Sequence, residues 1–66
     1  MPSTVIRRID YRPDEAELLV TFTSGSRYVY YEVPPEAHEA FVHAPSKGEY
    51  FSRRVRDRYR YRRLDS

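Results

Sequence analysis

The chain has no cysteine and no tryptophan, and its 66 residues include one methionine and two glycines. Without thiols it has neither a disulfide framework nor a thiolate zinc site to hold it together. No stretch approaches the ~20 consecutive apolar residues of a membrane-spanning helix, and the first residues lack the apolar run of a secretory signal. These absences point to a soluble cytoplasmic protein. Internal repeats and low-complexity linkers are missing too, so the expectation is one domain over residues 1–66, with residues 60–66 as a basic helical tail. A domain of this size buries only about 60% of its unfolded surface, so its stability is expected to be a few kcal/mol. The core must rest on the 7 tyrosines and 3 phenylalanines, and each buried phenol then needs a hydrogen-bond partner or a wet rim.

What the chain has in excess is arginine at one end. Residues 1–45 carry 4 basic and 7 acidic side chains, a net −3, whereas residues 46–66 carry 8 basic and 3 acidic, a net +5. Arg53, Arg54, Arg56, Arg58, Arg60, Arg62 and Arg63 crowd this segment, with Tyr59 and Tyr61 interleaved. Guanidinium groups fork onto phosphates and stack on rings, so a polyanion is the natural partner.

The apolar pattern gives an α+β fold. Thr4 to Tyr11 reads as a strand with Val5, Ile9 and Tyr11 on one face, and Arg12-Pro13-Asp14-Glu15 reads as a turn. Leu18 to Thr23 alternates as a second strand, and Arg27 to Val33 is a third, rich in aromatic and β-branched residues. Two registers compete between them. A three-residue loop, Thr23-Ser24-Gly25, pairs Val20 with Tyr28 and Leu18 with Tyr30, and sends both tyrosines to the core. A two-residue loop would bury Val29 and Tyr31 instead. The first uses Gly25 where a left-handed residue is needed and is preferred; it leaves Tyr31 exposed.

Pro35 suits the first position of a helix, with Ala37, Ala40, Phe41 and Ala44 as its apolar face and Pro45 as its stop. Ser46-Lys47-Gly48-Glu49 then matches a capping box, opening a second helix from Lys47 to about Tyr59 or beyond. Phe51, Val55 and Tyr59 form its buried stripe, which places Arg53, Arg56, Arg60 and Arg63 on the far side. The expected architecture is a three-stranded antiparallel meander followed by two helices packed on one face of the sheet.

Tyr28-Val29-Tyr30, Val33-Pro34, the block Ala44-Pro45-Ser46-Lys47-Gly48-Glu49-Tyr50-Phe51, Val55-Arg56 and Tyr59 together resemble the KTSC domain family from about Ser3 to Tyr59. That family takes its name from its occurrence at the C-terminus of some lysyl-tRNA synthetases, and it also occurs as a small free-standing bacterial protein. The resemblance implies no established activity; its company with a tRNA-handling enzyme suggests RNA binding, which is an argument by association. Val29 departs from the polar residue frequent between the two tyrosines of the family pattern.

Weighed residue by residue, the chemistry favours binding over catalysis. Lys47, Arg53, Arg54, Arg56, Arg60 and Arg63 are the expected contacts to nucleic-acid phosphate. The competing reading is a solvated helix face, yet only Asp57 and Asp65 lie nearby to neutralise it. Tyr31 and Tyr50 are the tyrosines offered for base stacking. Ser46-Lys47-Gly48 offers free N–H groups at a helix start, although capping alone accounts for it and Glu49 would repel an anion there. His38 and His43, five positions apart on a helix, point about 140° apart and cannot share one ion. Ser3, Ser24, Ser26, Ser46 and Ser52 are cap or turn serines, and Asp10, Asp14, Glu15 and Glu17 cluster round a turn, so no nucleophile meets a base. The expectation is therefore a small, cofactor-free, metal-free and non-enzymatic module binding tRNA or other structured RNA. The alternative is a protein-interaction module or self-associating scaffold with no nucleic-acid role.

Overall fold

Alternating residues pair into a first hairpin between β1 (Ile6–Arg12) and β2 (Glu17–Phe22). The computed structural model describes residues 5–64, so the expected strand start at Thr4 and the acidic side chain at Asp65 lie outside the described residues. The turn forms as the sequence predicts, with the Glu15 N–H donating to the Arg12 carbonyl at 3.2 Å. Ile9 and Tyr11 face Val20 and Leu18 on the core side. Val5 does not join them and is 51% exposed. The register shifts between Ile6 and Arg8, and this bulge puts Ile6 opposite Phe22 in its place. One extra residue flips the strand's alternation, a change the spacing alone does not encode.

The second hairpin joins β2 to β3 (Arg27–Tyr30) through the three-residue loop. Gly25 has φ +98, its N–H donates to the Phe22 carbonyl at 2.9 Å, and the Phe22 N–H donates to the Ser26 carbonyl at 2.9 Å. Leu18 therefore pairs with Tyr30 and Val20 with Tyr28, the preferred register. The strand is shorter than expected. It ends at Tyr30, and Glu32 two residues on adopts φ +57; Val33 is then buried, its N–H donating to the Ala16 carbonyl at 2.8 Å.

Helix α1 (Pro35–Val42) has Pro35 in its first turn, and Phe41 is its fully buried anchor. Its apolar face is narrower than the spacing suggests, since Ala37 packs on the core but Ala40 is exposed. Helix α2 (Lys47–Tyr50) continues without a break as a π-helical stretch, Phe51–Val55, closed by the Arg56 N–H donating to the Phe51 carbonyl at 2.9 Å. A fourth strand, β4 (Tyr61–Arg63), then pairs antiparallel with β3, giving the sheet order β1-β2-β3-β4.

The core is Leu18, Val20, Tyr30, Val33, Phe41 and Val55, sandwiched between one face of the sheet and the helices. Rings interlock around it, with Phe51 meeting Phe22, Tyr30 and Phe41 at centroid distances of 5.2, 5.6 and 6.4 Å. Among the described residues no helix is long and apolar enough to cross a membrane.

Candidate functional site

The arginine segment does not form the helical stripe that the sequence suggests. Its helix ends at Val55, a turn follows with the Arg58 N–H donating to the Val55 carbonyl at 3.1 Å, and Tyr61–Arg63 is a strand. The expected helical tail from residue 60 is thus extended through residue 63; residues 65 and 66 lie outside the described residues. Two forces explain the change. A continued helix would set Arg54 over Arg58, Arg56 over Arg60 and Arg58 over Arg62, like charges at i,i+4 that repel. The open edge of β3 meanwhile offers a row of unpaired backbone groups. The Tyr31 N–H donates to the Arg60 carbonyl, and the Leu64 N–H to the Arg27 carbonyl, at 2.9 and 2.8 Å.

Strand geometry sends neighbouring arginines to opposite faces. Tyr61 and Arg63 lie opposite Tyr30 and Tyr28 on the helix side, while Arg62 lies opposite Val29 on the other. Arg63 sits over the Tyr28 ring at 5.9 Å and donates to the Ser26 hydroxyl at 3.2 Å. Arg60 pairs with Glu32 at 3.3 Å and lies 5.8 Å from the Tyr31 ring centroid. Arg53 pairs with Glu49 at 3.4 Å. These exposed pairs are worth little to stability. Arg54, Arg56, Arg58 and Arg62 are exposed and form no ion pair among the described residues.

The face of the sheet without helices gathers a second basic group. Arg8, Arg12 and Arg27, all from the acidic half of the sequence, share this face with Arg62, by the register of the four strands. Arg8 is paired with Asp10 at 2.9 Å. Leu19, Val29, Tyr31 and Leu64 form the apolar centre, and Val29 is only 6% exposed there. Tyr31 is half-buried on this face, under the Arg60 guanidinium. Sequence reasoning left Arg8, Arg12, Arg27, Arg58 and Arg62 out of the contact set; only the strand register reveals the face that four of them share.

Other expected site residues have structural partners. Tyr50 stacks on Phe41 at 5.4 Å and 18°, half-buried, so packing engages the ring that was offered to a base. Lys47 opens α2 beside the Ser46 cap, whose hydroxyl accepts the Glu49 N–H at 3.3 Å. The Glu49 carboxylate turns to Arg53 instead of back to Ser46, so half of the capping box forms. Ser46→Ala should cost about 1 kcal/mol, checked by urea unfolding; a loss below about 0.3 kcal/mol would mean that the cap is idle. His38 stacks flat on Tyr11 at 4.5 Å and 9°, and His43 Nδ1 lies 3.0 Å from the Glu39 carbonyl. Among the described residues no group of three or more His, Cys, Asp or Glu is arranged so that it could hold a metal ion.

A cavity of about 470 Å³ opens on the helix side of β3 and β4, where the helical layer stops short. Its walls are the rings of Phe22, Tyr28, Tyr30, Phe51 and Tyr61, with Arg56 and Asp57 at its edge. Tyr30 is 3% exposed. Burial pushes its phenol well above the ordinary tyrosine value; the Tyr28 and Tyr61 phenols push the same way, and Arg56 opposes them. A raised native pKa means that the unfolded chain loses this proton first. Stability is therefore intact below the ordinary pKa near 10 and falls as pH rises beyond it. Tyr30→Phe should flatten that alkaline loss in unfolding curves recorded across pH 9 to 12; an unchanged slope would refute the assignment.

Relatives of the chain agree with this architecture. The KTSC domain model matches residues 2–59. A lysine–tRNA ligase of Nostoc punctiforme is 34% identical over 61 residues, 92% of this chain but 11% of the enzyme. The chain thus spans about a tenth of such ligases. A small protein of Tsukamurella paurometabola is 40% identical over 58 residues, covering 88% of this chain and 87% of its own length. The crystal structure of a KTSC domain protein from Yersinia pestis superposes with a TM-score of 0.85 at 33% identity, covering 97% of this chain and 93% of that one. With the same fold and a match over nearly its whole length, the chain belongs to the KTSC domain family.

Proposed function

We propose that this domain is a non-enzymatic RNA-binding module that engages tRNA or another structured RNA through phosphate contacts. The observation that carries the reading is charge left over. Seven arginines crowd residues 53–63; Arg53 and Arg60 pair with carboxylates, whereas Arg54, Arg56, Arg58 and Arg62 form no ion pair among the described residues. Exposed guanidinium groups on the helix end, the turn and β4 wrap one edge of the sheet, a shape suited to a curved phosphate backbone. Arg8, Arg12, Arg27 and Tyr31 extend the basic surface across the open face. Relatives that include lysine–tRNA ligases add support by association.

Recognition of this kind reads shape and charge more than sequence. The test is an amide NMR titration of the full chain with total tRNA, run beside a scrambled duplex DNA at low and moderate salt. Shifts clustered on residues 53–63 with tRNA, weakening as salt rises, support the reading. Absence of shifts at low salt overturns it, and recovery of a stoichiometric protein partner instead of RNA would favour an interaction module.

A further inference from the structure

The cavity between the end of the π-helical stretch and β4 is not explained by phosphate binding. Its walls are aromatic, and its volume of about 470 Å³ falls within the roughly 300–1,000 Å³ of small-molecule sites. Inside it lies a feature that packing leaves unresolved. Tyr30 is 97% buried as a residue, yet its hydroxyl makes no hydrogen bond to any described residue. The hydroxyl is not sealed off either, since no side-chain oxygen among the described residues is both buried and without a partner, and Tyr30 is one of the residues that line the cavity. Tyr11 shows the usual solution, its hydroxyl donating to the Val33 carbonyl at 2.6 Å. A deeply placed tyrosine whose hydroxyl has no protein partner, in the wall of a ring-lined hollow, leaves that hydroxyl open to a ligand.

Two charged groups at the edge narrow the ligand. Asp57 and Arg56 are neighbours in sequence and both line the cavity, and neither takes part in an ion pair among the described residues. Flat aromatic walls favour a planar ligand, and a carboxylate beside them accepts two adjacent donors. Among nucleobases only guanine presents two adjacent N–H donors, N1–H and N2–H2, on its pairing edge. Adenine and cytosine set an acceptor beside one donor, and uracil flanks its donor with two acceptors, so each would leave the Asp57 carboxylate facing a lone pair. Guanine O6 and N7 are in turn acceptors for a guanidinium or a phenol.

We infer that the cavity lined by Tyr28, Tyr30 and Tyr61 takes an unpaired guanine base, with Asp57 accepting from its N1–H and N2–H2 and Arg56 and the Tyr30 hydroxyl donating to the opposite side of the base or to its phosphate. In the cell this base would belong to the RNA proposed above, and the inference rests on that reading for its biological setting. It gives the domain one point of sequence preference on an otherwise shape-reading surface.

The test uses mononucleotides, so it does not depend on RNA binding. Titration of the full-length chain with GMP, followed by amide NMR shifts, should perturb Tyr28, Tyr30, Arg56, Asp57 and Tyr61 at millimolar concentrations. AMP should bind about tenfold more weakly or worse, because it leaves acceptors opposed. Asp57→Asn, a change on an exposed turn, should fold normally and erase the preference for GMP. Equal shifts with GMP and AMP, shifts confined to arginines outside the cavity, or an Asp57→Asn protein that keeps the preference would each overturn the inference. If GMP fills the cavity while tRNA fails to bind, the base site stands and the RNA reading falls. If tRNA binds while the cavity ignores GMP, the reverse holds.

Discussion

The triple variant Arg54→Ala/Arg58→Ala/Arg62→Ala should bind tRNA on the order of a hundredfold more weakly at 0.1 M salt, with its salt slope lower by roughly two to three units. Each neutralised phosphate releases condensed counterions, and each lost contact removes nearly one unit from the dependence of log K on log salt. These three side chains are exposed, lie outside the aromatic cavity, and form no ion pair among the described residues, so their loss should leave the fold intact. An unchanged melting curve with weakened binding is the expected pair of results. Arg8→Ala, paired with Asp10 on the open face, serves as a comparison and should cost less than any member of the triple. A triple variant that binds as well as the parent at low salt would remove the C-terminal arginines from the interface.

Phe41→Ala should cost about 3–5 kcal/mol, enough to leave much of a small domain unfolded at room temperature. Phe41 has 0% exposure and stacks against both Tyr50 and Phe51. It is the fully buried anchor through which α1 holds the α2 segment against the sheet. Its loss opens a hollow where three rings meet, and nearby backbone can relax only in part. Far-UV circular dichroism during urea unfolding measures the effect. Phe41→Leu, which keeps most of the volume, should lose no more than about 1.5 kcal/mol. If Phe41→Ala unfolds within about 1 kcal/mol of the parent, the ring cluster is not the keystone described above.

The π-helical stretch links these two predictions. Its wider turn ends with the Arg56 N–H on the Phe51 carbonyl, and Val55 beside it is 2% exposed. Insertions of this kind are frequent at functional sites, and here the feature closes the helix just where Arg56 and Asp57 reach the cavity edge. Phe51 and Val55 remain a buried pair as the sequence spacing implies, and Tyr59 still packs on the core although it lies beyond the helix. The apolar positions were legible, but the backbone that connects them was not.

The aromatic cavity left only a partial trace in the sequence. The need for partners at buried tyrosine hydroxyls was visible in composition, yet which phenol would lack one depends on where the helix stops and where β4 begins. Asp57 reads in sequence as a neighbour able to quench arginines; in the fold it forms no ion pair among the described residues and borders the cavity. Tyr31 was assigned to the exposed side by register alone, and that assignment puts it at the centre of the open face.

Local chemistry was enough to determine the two hairpins, the β2–β3 register, the start of each helix and the surplus of positive charge. Gly25, Pro35 and Ser46 act on neighbours within a few residues, and their preferences do not depend on distant contacts. Tertiary structure decided the fate of residues 56–63. Whether they coil or extend depends on an unpaired strand edge about thirty residues earlier in the chain, which no local pattern encodes. It also decided the electrostatic layout, because strand pairing carries Arg8, Arg12 and Arg27 out of an acidic half and sets them beside Arg62.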